Sequence, residues 1–318
     1  KKNKYPYSCI YLVEFNMEGS KTTRLFIKRI IPRNKSNEFI QSCIQAEINL
    51  LESLKSSKLI SVVRLIGVFP EQLCLVTEEC QGESLDIVTG SLLFWWKDKM
   101  LQNDISSLCG TWLKQFHGAT VANKPVQMLS WYNYLSGQMN WRIRLLSEHF
   151  PHQEIIYKRC MKRFDADLKQ LRKYSLLYDC HGDFAPHNIF LQNDGIQVID
   201  FYATRKGHAF TDVVNFISSF ASLSENLLYP KKSILSFCHN FLDAYGRRGD
   251  DTQIFSLLLV LQSVKRLTVL ATESNSKKYF RETLPIIALF GYLTLVHMVT
   301  IGSIRYRFPL EPFLIIFA

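Results

Sequence analysis

The chain has 318 residues, 47% hydrophobic and 21% charged, with 14 Gly and 10 Pro. That balance excludes wholesale disorder and a collagenous or low-complexity chain, and the length calls for one large or two modest domains. Lys plus Arg number 38 against 28 Asp plus Glu, a formal charge of +10. Such an excess either favours anionic partners (nucleotides, phosphorylated sugars, nucleic acid, an acidic membrane face) or marks only a generally basic surface. Eight cysteines include no CxxC pair, and several lie in apolar runs, as in a reduced, cytoplasmic protein. The opening KKNKYPYSC has no apolar run and is no secretory signal; it also lacks an initiating Met, as a fragment would.

The first eighty residues read as strands around one helix. Ile10–Phe15 and Leu25–Ile31 are β-rich runs joined across Glu18-Gly19-Ser20, a hairpin turn. Asn37 caps a helix reaching about Ser57, with Ile40, Ile44, Ile48, Leu51 and Leu54 on one stripe. Strands Val62–Phe69 and Leu73–Thr77 follow, divided by PEQ. From Gly82 helical patterns dominate, at 104–118, 130–149, 152–173, 211–223, 231–246 and 252–272. Tyr178–Phe201 interrupts them, with β-like runs Asn188–Leu191 and Ile196–Ile199 flanking the turn Asn193-Asp194-Gly195. The division is a small lobe at 1–81, a helical lobe at 82–283 and an apolar segment at 284–318. Leu284–Ile304 carries no charge, and about 20 apolar residues suffice to cross a bilayer. A buried final helix explains the same composition.

The segment richest in chemistry is Cys180-His181-Gly182-Asp183-Phe184-Ala185-Pro186-His187-Asn188, followed by Ile199-Asp200-Phe201. Phosphoryl transfer needs a carboxylate near the attacking hydroxyl, and a carboxylate plus an amide oxygen to hold Mg²⁺ on the phosphates. A loop followed by a hairpin brings Asp183, Asn188 and Asp200 to one edge of a cleft.

HGDFAPHN resembles the HGDxxxxN catalytic loop of the aminoglycoside phosphotransferase and choline kinase family. The resemblance implies an α+β, bilobal protein-kinase-like fold with a small antiparallel sheet carrying one helix and a larger, mainly helical lobe. It implies Asp183 as catalytic base, Asn188 and Asp200 as Mg²⁺ ligands, and His181 as a loop-structuring residue. Lys28 is similar in place to the lysine that binds the α- and β-phosphates of ATP, and Glu47 to the helix glutamate that orients it; Glu52 is the alternative acid. An alternating strand points Lys28 and Arg29 to opposite faces. Leu75–Leu85 is similar to the hinge that receives adenine, with the Glu78 carbonyl and the Cys80 N–H in the matching positions. Asp212 resembles the acid that braces the loop, or is a helix cap. One departure stands out: the family's small lobe opens with a glycine-containing loop, whereas KKNKYPYS has no Gly. Either that loop precedes residue 1 or it is degenerate.

Trp95, Trp96, Trp112, Trp131, Tyr132, Tyr134 and Trp141 fit helical core first and an aromatic-walled acceptor pocket second. His117, His149, His152 and His239 lack metal-ligand spacing. Arg305-Tyr306-Arg307-Phe308-Pro309-Leu310-Glu311-Pro312-Phe313 resembles the tail of polytopic glycosyltransferases that use lipid-linked sugars. The expected activity is Mg²⁺- and ATP-dependent phosphorylation of a hydroxyl on a small polyol, sugar, amino-alcohol or lipid-linked saccharide, on the cytoplasmic side, with Leu284–Ile304 as membrane anchor. The alternative is a catalytically weak scaffold tethered to the membrane. No nucleic-acid partner is expected, because no basic stripe with interleaved aromatics stands out.

Overall fold

The computed structural model describes residues 2–4, 8–15, 23–32, 36–55, 61–97, 99–120, 128–170, 177–224, 228–246 and 252–272. The small lobe begins with β1 (Lys2–Lys4), β2 (Ser8–Phe15) and β3 (Thr23–Ile30), then α1 (Asn37–Leu54), β4 (Leu65–Phe69) and β5 (Cys74–Glu78). The strands form one antiparallel sheet in the order β1-β2-β3-β5-β4, so β3 is its central strand. Ser36, not Asn37, caps α1: its hydroxyl accepts from the Phe39 N–H at 3.2 Å. The apolar stripe of α1 then serves two cores. Ile40, Ile44 and Ile48 pack against Ile30 and Leu75 of the sheet and against Leu73 just ahead of β5, while Leu50, Leu51 and Leu54 join the large-lobe core.

Two strand boundaries depart from the sequence pattern. Pro70–Gln72 forms a single 3-10 turn that drives Leu73 to φ 54°, so β5 starts only at Cys74. The chain at Val62 does not extend β4, because it bridges in parallel to Val198 of the large lobe. This short pairing helps hold the lobes together.

The large lobe continues with β6 (Glu83–Ser84), α2 (Leu85–Gly90), α3 (Leu92–Lys97), α4 (Lys99–Ala119), α5 (Met128–His149) and α6 (Glu154–Gln170). Then come β7 (Tyr178–Cys180), the hairpin β8 (Ile189–Gln192) and β9 (Gly195–Val198), β10 (Arg205–Gly207), α7 (Phe210–Ser224), α8 (Lys231–Tyr245) and α9 (Thr252–Thr272). Helices α4 and α8 approach so closely that a Cβ at Gly110 would lie 2.3 Å from the Phe241 carbonyl oxygen. Beside that contact Trp112 stacks on both Phe116 and Phe184, with centroids 5.3 and 5.6 Å apart. Trp95, Trp131 and Tyr132 are likewise core residues, whereas Trp96 and Trp141 are exposed. All eight cysteines are free.

Among the described residues no helix is long and apolar enough to cross a membrane. The Glu18-Gly19-Ser20 turn, the apolar Leu284–Ile304 segment and the Arg305–Phe313 motif all lie outside the described residues.

Candidate active site

The HGD loop leaves β7 and is bound from below by one buried carboxylate. Asp212, at the start of α7, accepts from the His181 N–H at 2.7 Å and the Gly182 N–H at 2.8 Å, and its Oδ2 lies 3.0 Å from His117 Nε2. Burial pushes the Asp212 carboxyl up, but His117, His181 and the Gly182 N–H outweigh it and hold it below the usual carboxylate range. Gly182 sits at φ +82°, and a Cβ there would lie 2.2 Å from the Ala203 carbonyl oxygen, so only glycine fits. His181 is fully buried; its Nε2 meets the Ile199 carbonyl at 2.9 Å and its Nδ1 the Asp183 N–H at 3.3 Å. One neutral tautomer, protonated at Nε2, satisfies both contacts, and burial holds the imidazole below its ordinary pKa.

Asp183, Asn188 and Asp200 are tied together by this frame. The Asn188 amide nitrogen donates to the Asp183 carbonyl at 2.9 Å and to its Oδ2 at 3.3 Å. The Asn188 carbonyl in turn accepts from the Ile199 N–H at 3.0 Å, which places Asp200 beside the loop. Asp200 adopts a left-handed backbone at φ 65°, strained for a residue with a side chain. His187 Nε2 lies 3.4 Å from Asp183 Oδ2. Burial raises the Asp183 pKa, yet His187, Lys265 and His181 more than cancel this, so it rests below its ordinary value as an ionised proton acceptor.

Across the cleft, Lys28 on central strand β3 reaches Asp200, with Nζ 2.5 Å from Oδ1, and lies 5.4 Å from the centre of the Tyr202 ring. Burial alone would depress this lysine, but Asp200 and Glu47 outweigh burial and raise its pKa. Glu47 is buried and close enough to act on Lys28, but it is not the hydrogen-bonded partner. Its Oε1 accepts from the Phe201 N–H at 3.0 Å, while Oε2 is buried without a partner among the described residues. Burial is the main reason its pKa is pushed up to about 7. Glu52 faces outward on the same helix.

At the hinge, the Glu78 side chain pairs with Arg64 and its N–H donates to the Arg64 carbonyl at 3.0 Å. The Cys80 thiol donates to Gln197 Oε1 at 2.9 Å, tying the hinge to β9; burial, with Glu79 nearby, pushes this thiol up to about 12. The sequence-derived residues therefore converge from both lobes, and the departure is Lys28 pairing with Asp200 rather than with Glu47. His187 was overlooked although it lies inside the motif, four residues after Asp183. Arg142, Arg205 and Lys265 were overlooked too, since no local pattern joins residues from α5, β10 and α9.

Among the described residues one trio of metal-capable groups gathers, His117, Cys180 and Asp212, all buried. Its atoms are already engaged: His117 Nε2 with Asp212, His117 Nδ1 with the Tyr245 hydroxyl at 3.0 Å, and the Cys180 thiol with the His208 carbonyl at 3.3 Å. Burial also keeps that thiol strongly protonated, so the trio works as a hydrogen-bonded knot beneath the loop.

Comparison with known proteins agrees with this geometry. The sequence profile of APH, the phosphotransferase enzyme family, matches residues 42–251, more than half of the chain. No curated protein matches the chain. Among solved structures, the chain is similar to the amicoumacin kinase hAmiN in complex with AMP-PNP, Ca²⁺ and Ami, at TM-score 0.59 and 15% identity, covering 89% of this chain and 86% of that one. It is similar to a glucosamine kinase at TM-score 0.55 and 13% identity, covering 87% and 80%. A choline/ethanolamine kinase family protein from Mesorhizobium loti aligns at TM-score 0.54 and 11% identity, covering 96% and 92%. At such identities these likenesses establish the bilobal kinase-like fold, and the profile establishes the family. The chain belongs to the phosphotransferase enzyme family.

Proposed function

We propose that this enzyme moves the γ-phosphoryl group of ATP to a hydroxyl of a small polyol, sugar, amino-alcohol or lipid-linked saccharide, with Mg²⁺. The observation that carries the reading is the Lys28–Asp200 contact across the cleft, 2.5 Å long, beside the Asp183–Asn188 loop. A flexible ammonium at that point suits the phosphates of a nucleotide. Asp183, ionised and held by Asn188, is the group to accept the hydroxyl proton. The Glu78 carbonyl and the Cys80 N–H are the adenine contacts at the hinge, and His181 and Asp212 hold the loop's shape. ATP supply assigns the reaction to the cytoplasm.

The donor set suits Mg²⁺. Asp200 offers a carboxylate and Asn188 an amide oxygen, hard ligands of the kind the ion prefers. The Asn188 nitrogen is already committed to Asp183, which leaves its oxygen as the ligand. Lys28 on Asp200 stands where a cation is called for. When bound, Mg²⁺ would neutralise charge on the transferring phosphoryl group. The Lys28 ammonium would then be divided between the phosphates and Glu47, whose free oxygen is the nearby acceptor.

The test is phosphoryl transfer from ATP to a panel of alcohols, with Mg²⁺ supplied or withheld. Asp183→Asn keeps the shape and removes the proton acceptor, so kcat should drop about 10²- to 10⁴-fold while AMP-PNP affinity holds. Undiminished turnover in Asp183→Asn would overturn the assignment. A wild-type chain that binds nucleotide but phosphorylates nothing would instead favour the reading as a catalytically weak scaffold.

A further inference from the structure

Beside the HGD loop the large lobe forms a partly open cavity of about 90 Å³. It lies between α5, α7 and α9, and its wall includes Gly182, the neighbour of Asp183. Three cations from three elements line it: Arg142 on α5, Arg205 on β10 and Lys265 on α9. Among the described residues no Asp or Glu lines it, and none of the three cations forms an ion pair. Such a convergence of like charge at partly exposed positions favours an anion between them.

The individual side chains point the same way. Arg142 is held at one end by Gln138 at 3.2 Å, while its Nε is buried with no hydrogen-bond partner. The Arg205 Cζ lies 4.8 Å from the centre of the Tyr134 ring, a cation–π contact that holds the guanidinium at the cavity wall. Lys265 is near enough to Asp183 for each to shift the other, which puts the cavity within reach of the transfer chemistry. Burial lowers the Arg142 and Lys265 pKa values, and Arg142 and Arg205 lower that of Lys265 further. The volume admits several waters or one small oxyanion, not a sugar ring.

We propose that the acceptor alcohol carries a carboxylate or phosphate ester seated on Arg142, Arg205 and Lys265, which aims its hydroxyl at Asp183. The inference rests on the phosphotransferase reading and narrows its acceptor: an ammonium-bearing alcohol would meet three like charges there.

Two matched sets test it: glycerol, ethanolamine, glycerate and glycerol phosphate; glucose, glucosamine, gluconate and glucose 6-phosphate. Each compound is measured for binding by calorimetry in the presence of AMP-PNP and Mg²⁺, and for transfer from ATP. The anionic members should bind at least 10-fold better than their neutral and cationic counterparts. Lys265→Gln, at an exposed position, and Arg205→Gln should each weaken the anions about 10- to 100-fold without changing AMP-PNP affinity. Anions that bind no better than their counterparts, including the case where none binds, overturn the proposal. So does an anion preference that survives in both variants. A chain that fails to bind AMP-PNP at all would sink the ATP-dependent reading itself, a result distinct from either.

Discussion

Glu47→Gln isolates the buried acid between the lobes. Glutamine keeps a carbonyl oxygen for the Phe201 N–H, now 3.0 Å from Glu47 Oε1, and removes the charge from a side chain only 5% exposed. Folding raises the Glu47 pKa from 4.5 to about 7, chiefly through burial. The folded chain thus holds a proton on Glu47 at pH values where the unfolded chain has released it. Protonation favours the fold, so this contribution is complete below the unfolded value and is lost as pH rises through about 7. Glutamine cannot titrate and loses nothing. Constant costs of the substitution, such as a buried amide lacking an acceptor, cancel when the two proteins are compared across pH. Integrating the linkage from about pH 5.5 to 8, the glutamine variant should gain about 2 kcal/mol relative to wild type. Urea unfolding of both proteins at several pH values reads this directly. Parallel stability curves over that range would refute the argument and mean that Lys28 neutralises Glu47 fully in the fold.

Asp212→Asn should destabilise the chain by about 3 kcal/mol, lowering Tm by roughly 5–10 °C, because one amide cannot accept at both the His181 and Gly182 N–H groups while facing His117. Calorimetry checks it, and a loss under about 1 kcal/mol would contradict the bracing role. His187→Gln should move the acidic limb of the kcat/KM–pH profile to higher pH. Burial already pushes Asp183 up, and His187 is the first of the groups that hold it down. An unmoved limb would show that His187 does not position or tune Asp183.

Much of this protein was legible because its chemistry is local. Asp183 and Asn188 lie within one loop, the β8–β9 hairpin follows at once, and Asp200 ends it, so spacing alone brings the three together. The stripe from Ile40 to Leu54 has helical period, and burying it requires a sheet on one side, which turns Glu47 inward and Glu52 out. Placing Lys28 and Arg29 on opposite faces follows from strand alternation. What the sequence could not contain were distances between segments far apart in the chain. Whether Lys28 pairs with Glu47 or Asp200 depends on how closely the lobes approach and on the left-handed turn at Asp200, where the Phe201 N–H claims the glutamate. Val62 left the small sheet for Val198 because a parallel partner in the other lobe was at hand. The cavity of Arg142, Arg205 and Lys265 is the clearest case. Each alone reads as an ordinary surface cation, and only the packing of α5 and α9 around the HGD loop turns them toward a common space. Periodicity and spacing report the environment within a segment, whereas electrostatic character arises between segments, where sequence separation carries no distance.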